Sequence, residues 1–445
     1  MNSLFSHSHI NKSAKFLTGI DKYNLINRFN TGLTLDGSYN KISLKRSLQH
    51  ALVISPSGAG KTTSYVVPNL LRLKNSSAIV LDPSQEIFNL CGAYLSRNFN
   101  VQILNVTDLN ISERWNPLEK GIENPEDIKM ISESIITSAY PNSRGSEKFW
   151  EDGARSLINI LINGVKNDPQ KRNLAYVYQL LNRFNNDQDT INQLLSENLS
   201  EENWLEYKGL ISQPEKIFGS HVATAKISLS PLSSPILSEL TSKSTIDFST
   251  FRQTPSILFV VVPEHKVKYY SFFLALLYRE LFETFMEMPS RGDLPIYMLL
   301  DEAGNTLVPG LPGYISTIRK RLVSVSLIIQ STRQLYSLYK DDADVIMENT
   351  LNHIYFPGLS IETCQKLSAK IGNKPINQNN YWLPTDKKDF GREPLISAES
   401  LRTLKDNRAV YIYGNLNPVI LRLTPWYKSF SLKRRLKKGG RFWVF

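Results

Sequence analysis

Cysteine is scarce in this chain. Cys91 and Cys364 stand far apart, which excludes a disulfide framework and points to a reducing compartment. The six histidines are scattered and give no metal-site spacing. Long apolar runs are missing as well. No stretch reaches about 18 residues, so no membrane-spanning helix is expected. Ser256 to Val262 is too short, and Phe272 to Phe285 is broken by Arg279, Glu280 and Glu283. The N-terminus lacks the apolar region of a signal peptide. Acid is absent from the last eighteen residues, which hold Lys428, Lys433, Arg434, Arg435, Lys437, Lys438 and Arg441. Residues 1–50 hold seven basic side chains against Asp21 and Asp36, so the net charge of +11 sits at the two ends of a near-neutral body. Such ends suit phosphate-rich partners, either nucleic acid or an anionic membrane face.

What remains is ordinary globular material. With 445 residues, 41% hydrophobic and 21% charged, the chain can bury a large core and is expected to form two domains. Its most informative stretch is Ser55-Pro56-Ser57-Gly58-Ala59-Gly60-Lys61-Thr62-Thr63. The apolar run His50 to Ile54 precedes it and reads as a buried parallel strand; Ser64 to Leu71 follows and opens a helix. Strand, glycine turn and helix are the setting of a phosphate loop. Gly58 and Gly60 let backbone amides turn toward anionic oxygens, and the helix dipole adds to the attraction. Ser57, Gly58, Ala59, Gly60, Lys61, Thr62 and Thr63 are therefore expected to hold ATP. Lys61 reaches the terminal phosphates, and Thr62 places its hydroxyl on Mg²⁺. Ser55 stands where the usual pattern has its first glycine.

Taken in order, residues 1–43 read as a loosely ordered polar lead with a short strand near Thr31–Leu35. Residues 44–123 form the first part of a nucleotide-binding domain. Its second strand, Ala78 to Leu81, ends in Asp82-Pro83-Ser84-Gln85-Glu86, beside the ligand crevice of a parallel sheet, and a third is expected at Val101–Val106. Residues 124–249 change texture. Ile128, Ile131, Ile135 and then Ala154, Leu157, Ile158 and Leu161 recur at helix periods, which predicts an all-α insert. The second part of the nucleotide-binding domain spans 250–427, with strands at Ser256–Val262, Pro295–Leu300 and Val323–Ile329, a helix at Tyr269–Met286, another at Thr317–Leu322, and a last strand pair at His353–Phe356 and Ala409–Tyr413. Residues 428–445 are a basic C-terminal tail whose Phe442, Trp443 and Phe445 suit an anionic membrane surface.

Asp301 and Glu302 end a buried strand, as the phosphate loop requires of a partner. Asp301 is expected to hold the metal's water shell beside Thr62, and Glu302 to act as general base toward the attacking water. Gln330 ends the next strand, where an amide can sense the γ-phosphate or position water. Arg319 is the candidate finger supplied to a neighbouring subunit, with Arg321 next; both can instead touch nucleic acid. Lys266, Lys268 and Arg321 are candidates for tracking a DNA backbone in a ring pore.

The order SPSGAGKTTSYVVPNLL, AIVLDPSQE, KFWEDGARSLINILI, ILFVVVPEHK, IYMLLDEAGN and RKRLVSVSLIIQS resembles the coupling-protein ATPases of conjugative type IV secretion systems, over roughly residues 30 to 425. The resemblance implies an α/β fold: a RecA-like P-loop NTPase with a mainly parallel β-sheet flanked by helices and interrupted by an all-α domain. It implies a homo-hexameric ring that hydrolyses ATP with Mg²⁺ and moves single-stranded DNA with its relaxase to the channel's inner-membrane components. It maps the metal aspartate and catalytic glutamate onto Asp301 and Glu302, the sensor glutamine onto Gln330 and the inter-subunit arginine onto Arg319. The family's Asp-Pro-Lys-Gly-Glu reads Asp82-Pro83-Ser84-Gln85-Glu86 here. Members usually begin with membrane helices, which this sequence is not expected to have, so a cytoplasmic protein, peripheral at the inner membrane face, is implied. A substrate-recruiting adaptor that holds ATP structurally, and a general DNA translocase outside secretion, are the alternatives.

Overall fold

The computed structural model describes residues 13–439, apart from 121, 142–144, 146, 185, 306 and 377–390. Its core is a sheet whose strands are continuous apolar runs. They are β1 (Ala51–Ile54), β2 (Ser77–Leu81), β3 (Asn100–Asn105), β4 (Ser256–Val261), β5 (Ile296–Leu300), β6 (Val323–Ile329) and β7 (Asn352–Tyr355). β8 (Asn373–Pro375) and β9 (Arg392–Pro394) form a separate ribbon, and β10 (Arg408–Tyr413) and β11 (Val419–Arg422) complete the large sheet. That sheet has nine strands in the order β11-β10-β7-β1-β6-β5-β2-β4-β3. β7 through β3 run parallel; β10 and β11 are antiparallel.

Both faces of this sheet are covered, which is why its strands do not alternate in polarity. Leu52, Ile79, Leu258, Met298 and Leu327 face one apolar cluster. Val53, Val80, Phe259, Leu299 and Ile328, each one residue on, face the other. β3 and β4 are neighbours in the sheet, yet about 150 residues separate them. A parallel pair needs a crossover, and here the crossover carries a helical body. Its main helices are Pro125–Ala139, Glu147–Val165, Leu174–Arg183, Gln188–Asn198, Glu201–Ile211, Glu215–Leu229 and Pro235–Leu240. Trp115 ties the end of this body to the helix Ser271–Met286 that follows β4. It is buried, packs edge-to-face on Phe273 with centroids 5.5 Å apart, and its indole N–H donates to Glu280 Oε2 at 2.9 Å. No helix among the described residues is long and apolar enough to cross a membrane.

Three expectations change. Thr31–Leu35 forms no strand, and the described part of the lead is packed rather than loose. Leu33, Leu35 and Ile42 are buried, and side chains satisfy the backbone: Leu33 N–H donates to Ser47 Oγ at 2.9 Å and Thr34 N–H to Asn69 Oδ1 at 2.8 Å. Residues 1–12 lie outside the described residues. The helix expected at Thr317–Leu322 begins earlier, at Leu311–Thr317, and tightens to a 3₁₀ turn at Ile318–Arg321 before a left-handed Leu322. The basic C-terminal segment is a helix, Phe430–Gly439, docked on the helix Glu86–Leu95. Leu432 is fully buried in that contact, and Arg435 donates to the Leu71 carbonyl. Phe442, Trp443 and Phe445, the aromatic end read as a membrane contact, lie outside the described residues.

Candidate nucleotide-binding site

Parallel strands bring their carboxyl ends to one edge, and three of those ends build the site. β6 lies between β1 and β5, in a register that sets Ile54 beside Ile329 and Leu300 beside Leu327. Ser55 continues the ladder; its N–H donates to Ile329 O at 2.9 Å, and the residue is fully buried. The chain then turns through Ser57, Gly58, Ala59 and Gly60. Gly58 and Gly60 hold φ of 78° and 88°, a region in which a side chain is strained. The Ala59 amide points into the turn, to Pro56 O at 3.2 Å. Thr62–Val66 forms a π-helical opening turn that runs on into the helix Val67–Leu71.

Lys61, Thr62, Asp301, Glu302 and Gln330 meet at this edge. The Lys61 ammonium lies 3.1 Å from Asp301 Oδ1 and is paired also with Glu302 Oε1. Thr62 Oγ1 donates to Asp301 Oδ2 at 3.3 Å. Gln330 Nε2 donates to Glu302 Oε2 at 2.9 Å. Glu302 adopts φ of 58°, uncommon for a residue with a side chain, which turns its carboxylate back toward the loop. Burial pushes the Asp301 carboxyl up from its ordinary range, while Lys61 and Thr62 oppose this. Asp82, at the end of neighbouring β2, is fully buried. Its Oδ2 accepts from Phe88 N–H at 2.8 Å, and Oδ1 has no hydrogen-bond donor within normal reach among the described residues.

Residues that no motif pointed to complete the arrangement. Gln334 Oε1 accepts from Gln330 N–H at 2.8 Å and its amide donates to Asn305 Oδ1 at 3.1 Å, so it braces the glutamine that braces Glu302. Its spacing from Ser331 is that of a capping box, a signal readable in the sequence. A cavity of about 480 Å³ adjoins Pro56 to Gly60, and its far wall is Gly358, Asp406, Asn407, Pro425, Tyr427 and Lys428. Nothing in the sequence ties these distant residues to Lys61.

The remaining candidates lie elsewhere. Arg319 is exposed on the turn preceding β6, so the whole strand separates it from Gln330 and from its own chain's site. Lys266 and Lys268 are exposed just after β4, on the same edge as the phosphate loop. Arg321 is not with them. It sits at the opposite edge, its Nε donating to Met286 O at 3.1 Å, so the three do not form one patch.

The residues fit a nucleotide and a divalent ion. An open cradle at Gly58, where a Cβ would meet nothing within 4 Å, faces no obstruction, and the nearby hard oxygens of Thr62 and Asp301 are the donors Mg²⁺ prefers. Fold and site together define a P-loop protein of RecA-like architecture carrying a helical insertion.

The chain belongs to the family described as "Type IV secretory system Conjugative DNA transfer", whose sequence profile matches residues 8–441. It is 24% identical over 412 residues to Protein VirD4 of Rhizobium radiobacter, covering 87% of this chain and 58% of that protein. It is 23% identical over 381 residues to Conjugal transfer protein TraG of Escherichia coli, covering 74% and 56%. The chain thus spans less than two thirds of these relatives. Among solved structures it resembles the conjugative coupling protein TrwBdeltaN70 in complex with sulphate, with a TM-score of 0.74, 16% identity and 93% of each chain covered. TrwB in complex with ADP and Mg²⁺ gives a TM-score of 0.72 at 16% identity, covering 93% of this chain and 94% of that one.

Proposed function

We propose that this protein is an ATP-hydrolysing motor that couples single-stranded DNA, with its relaxase, to a type IV secretion channel in conjugative transfer. The observation that carries the reading is the convergence of Lys61, Asp301, Glu302 and Gln330 on one sheet edge. Lys61 is held by the two carboxylates. Arrival of the nucleotide offers the ammonium a more highly charged partner, so Lys61 moves to the terminal phosphates and uncovers Glu302. Glu302, steadied by Gln330, is then placed to take a proton from water. Thr62 and Asp301 would hold Mg²⁺, which neutralises phosphate charge when bound. The cavity wall at Asp406, Tyr427 and Lys428 would take the base and sugar.

Arg319 faces away from its own site, as a residue that serves a neighbour must. We assign it to the adjoining copy in a hexameric ring. DNA tracking falls to Lys266 and Lys268, and the ring works at the inner membrane face against channel components. Single-stranded DNA should stimulate ATP hydrolysis, Lys61→Ala should abolish it, and Arg319→Ala chains mixed into wild-type rings should lower turnover more than in proportion to their share. Phosphate release measured across mixing ratios decides this. Full turnover in Lys61→Ala would refute the site, and a strictly proportional fall would refute the role of Arg319.

A further inference from the structure

A second cavity, of about 530 Å³, opens at the sheet edge opposite the phosphate loop. It is framed by the lead segment near Arg28–Leu33, the turn Arg72–Ser76 that feeds β2, and the start of β5 at Tyr297. The five-residue β2 alone places it roughly 15 Å from the nucleotide edge. Its lining carries Arg28, Lys41, Arg72 and Lys74 and no carboxylate. None of these four cations makes an ion pair among the described residues, although such pairs occur elsewhere in the chain.

Two buried residues on the lining each keep one polar atom without a hydrogen-bond partner among the described residues. Arg72 is 7% exposed; its Nη1 donates to Gly37 O at 2.8 Å and its guanidinium lies over the Tyr39 ring, while Nη2 has no hydrogen-bond acceptor among the described residues. Ser76 is 1% exposed, and its hydroxyl likewise has no hydrogen-bond partner among the described residues. Leaving such a group unmet costs about 1–3 kcal/mol. Two in one cavity, among like charges, indicate a missing acceptor. Burial pushes the Lys41 ammonium down, and Arg72, Lys74 and Arg435 push it further. Burial also lowers Arg72, to about 10, with Arg435 adding to the fall and Tyr39 and Asp36 opposing it. An anion would relieve both.

We propose that this cavity is a phosphate subsite that takes the phosphate group of a small headgroup. A guanidinium nitrogen, a hydroxyl and two ammonium groups are the donors a tetrahedral oxyanion accepts from. Arg72 and Ser76 are buried in the cavity wall, so only a group that enters the cavity comes near them. A nucleic-acid backbone lying across the surface would meet only the exposed Arg28 and Lys74. The exposed ring of Phe29, with Arg28 4.9 Å from its centroid, lies on the lining and suits the apolar remainder of such a ligand. The site is independent of the nucleotide reading, since none of its residues belongs to the phosphate loop.

The test uses the full chain saturated with a non-hydrolysable ATP analogue, so that the phosphate loop is filled. Glycerol 3-phosphate and pyrophosphate are titrated calorimetrically, and phosphatidylcholine vesicles with and without phosphatidic acid are floated. Lys41→Gln combined with Lys74→Gln should weaken binding at least tenfold. Ser76→Ala should weaken it several-fold without lowering the melting temperature, which separates ligand contact from folding. Binding of the soluble phosphates alone identifies a free metabolite as the source. Variant-sensitive co-flotation identifies a lipid headgroup, and either upholds the subsite. Equal binding by wild type and double variant, no binding of either probe, or dependence on these residues only for a single-stranded oligonucleotide overturns it.

Discussion

Replacing Glu302 by Gln separates its two proposed jobs. In the structure Glu302 holds Lys61 through one oxygen and accepts from Gln330 through the other at 2.9 Å. Glutamine keeps the length and an acceptor for Gln330 but loses the charge. Two unit charges about 4 Å apart attract by about 4 kcal/mol at an effective dielectric of 20, before desolvation. Lys61 also keeps Asp301 at 3.1 Å, so the net release is smaller, about 1–2 kcal/mol. Lys61 is then freer to meet phosphate, and ATP should bind about 5–30-fold more tightly, since every 1.4 kcal/mol is tenfold. Loss of the base should meanwhile cut turnover by about 10²–10⁴. Calorimetric titration with an ATP analogue and steady-state phosphate release read the two effects on one preparation. Weaker or unchanged binding together with turnover within tenfold of wild type would refute both the self-pairing and the base assignment.

Other consequences can be checked alongside. Glu280 is part-buried; desolvation pushes its carboxyl up to about 7 from 4.5, against the Trp115 hydrogen bond. The folded state therefore holds the proton more tightly, and this contribution is complete below about pH 4.5 and lost as pH rises through 7. Glu280→Gln, which keeps an acceptor for Trp115, should stabilise the protein by up to about 3 kcal/mol at pH 8 and hardly at all at pH 4; thermal melts giving the same difference at both pH values would contradict this. Gly37 holds φ of 75°, and a Cβ there would lie 2.3 Å from Thr424 O and 2.7 Å from Ser64 O. Gly37→Ala should cost about 2–4 kcal/mol in urea titration through strain and overpacking. Leu432→Ala should weaken the docked C-terminal helix by about 2–5 kcal/mol and open Lys433–Lys438 to trypsin; unchanged cleavage would mean that the helix is not held by this residue.

Much of the candidate site was legible in the chain. A strand buried on both faces must be continuously apolar, so the polar residue ending it stands out. That is why Val323–Ile329 matches its expected range residue for residue, and why Lys61, Asp301 and Gln330 could be singled out before any geometry was known. The expected strand at Thr31–Leu35 failed for the complementary reason. Its apolar positions are buried, but side chains of Ser47 and Asn69, remote in sequence, take its backbone hydrogen bonds. The C-terminal run was read through its charge, and the charge masked Leu432, whose burial depends on a helix some 340 residues earlier.

Local pattern alone therefore determined the strand–glycine turn–helix unit, the buried strands, the helical character of the insert and the placing of the acidic pair at a strand end. Each depends on the periodicity or chemistry of neighbouring residues. Tertiary structure decided what no local pattern encodes: that Lys61 rests on Asp301 and Glu302, that Gln334 reaches Asn305, that Arg319 stands at the edge opposite the glycine turn, and that the lead segment closes over Arg72 and Ser76. These depend on strand order and crossover, which bring distant segments within a few ångströms of one another, and a hydrogen bond or an ion pair exists only at that range.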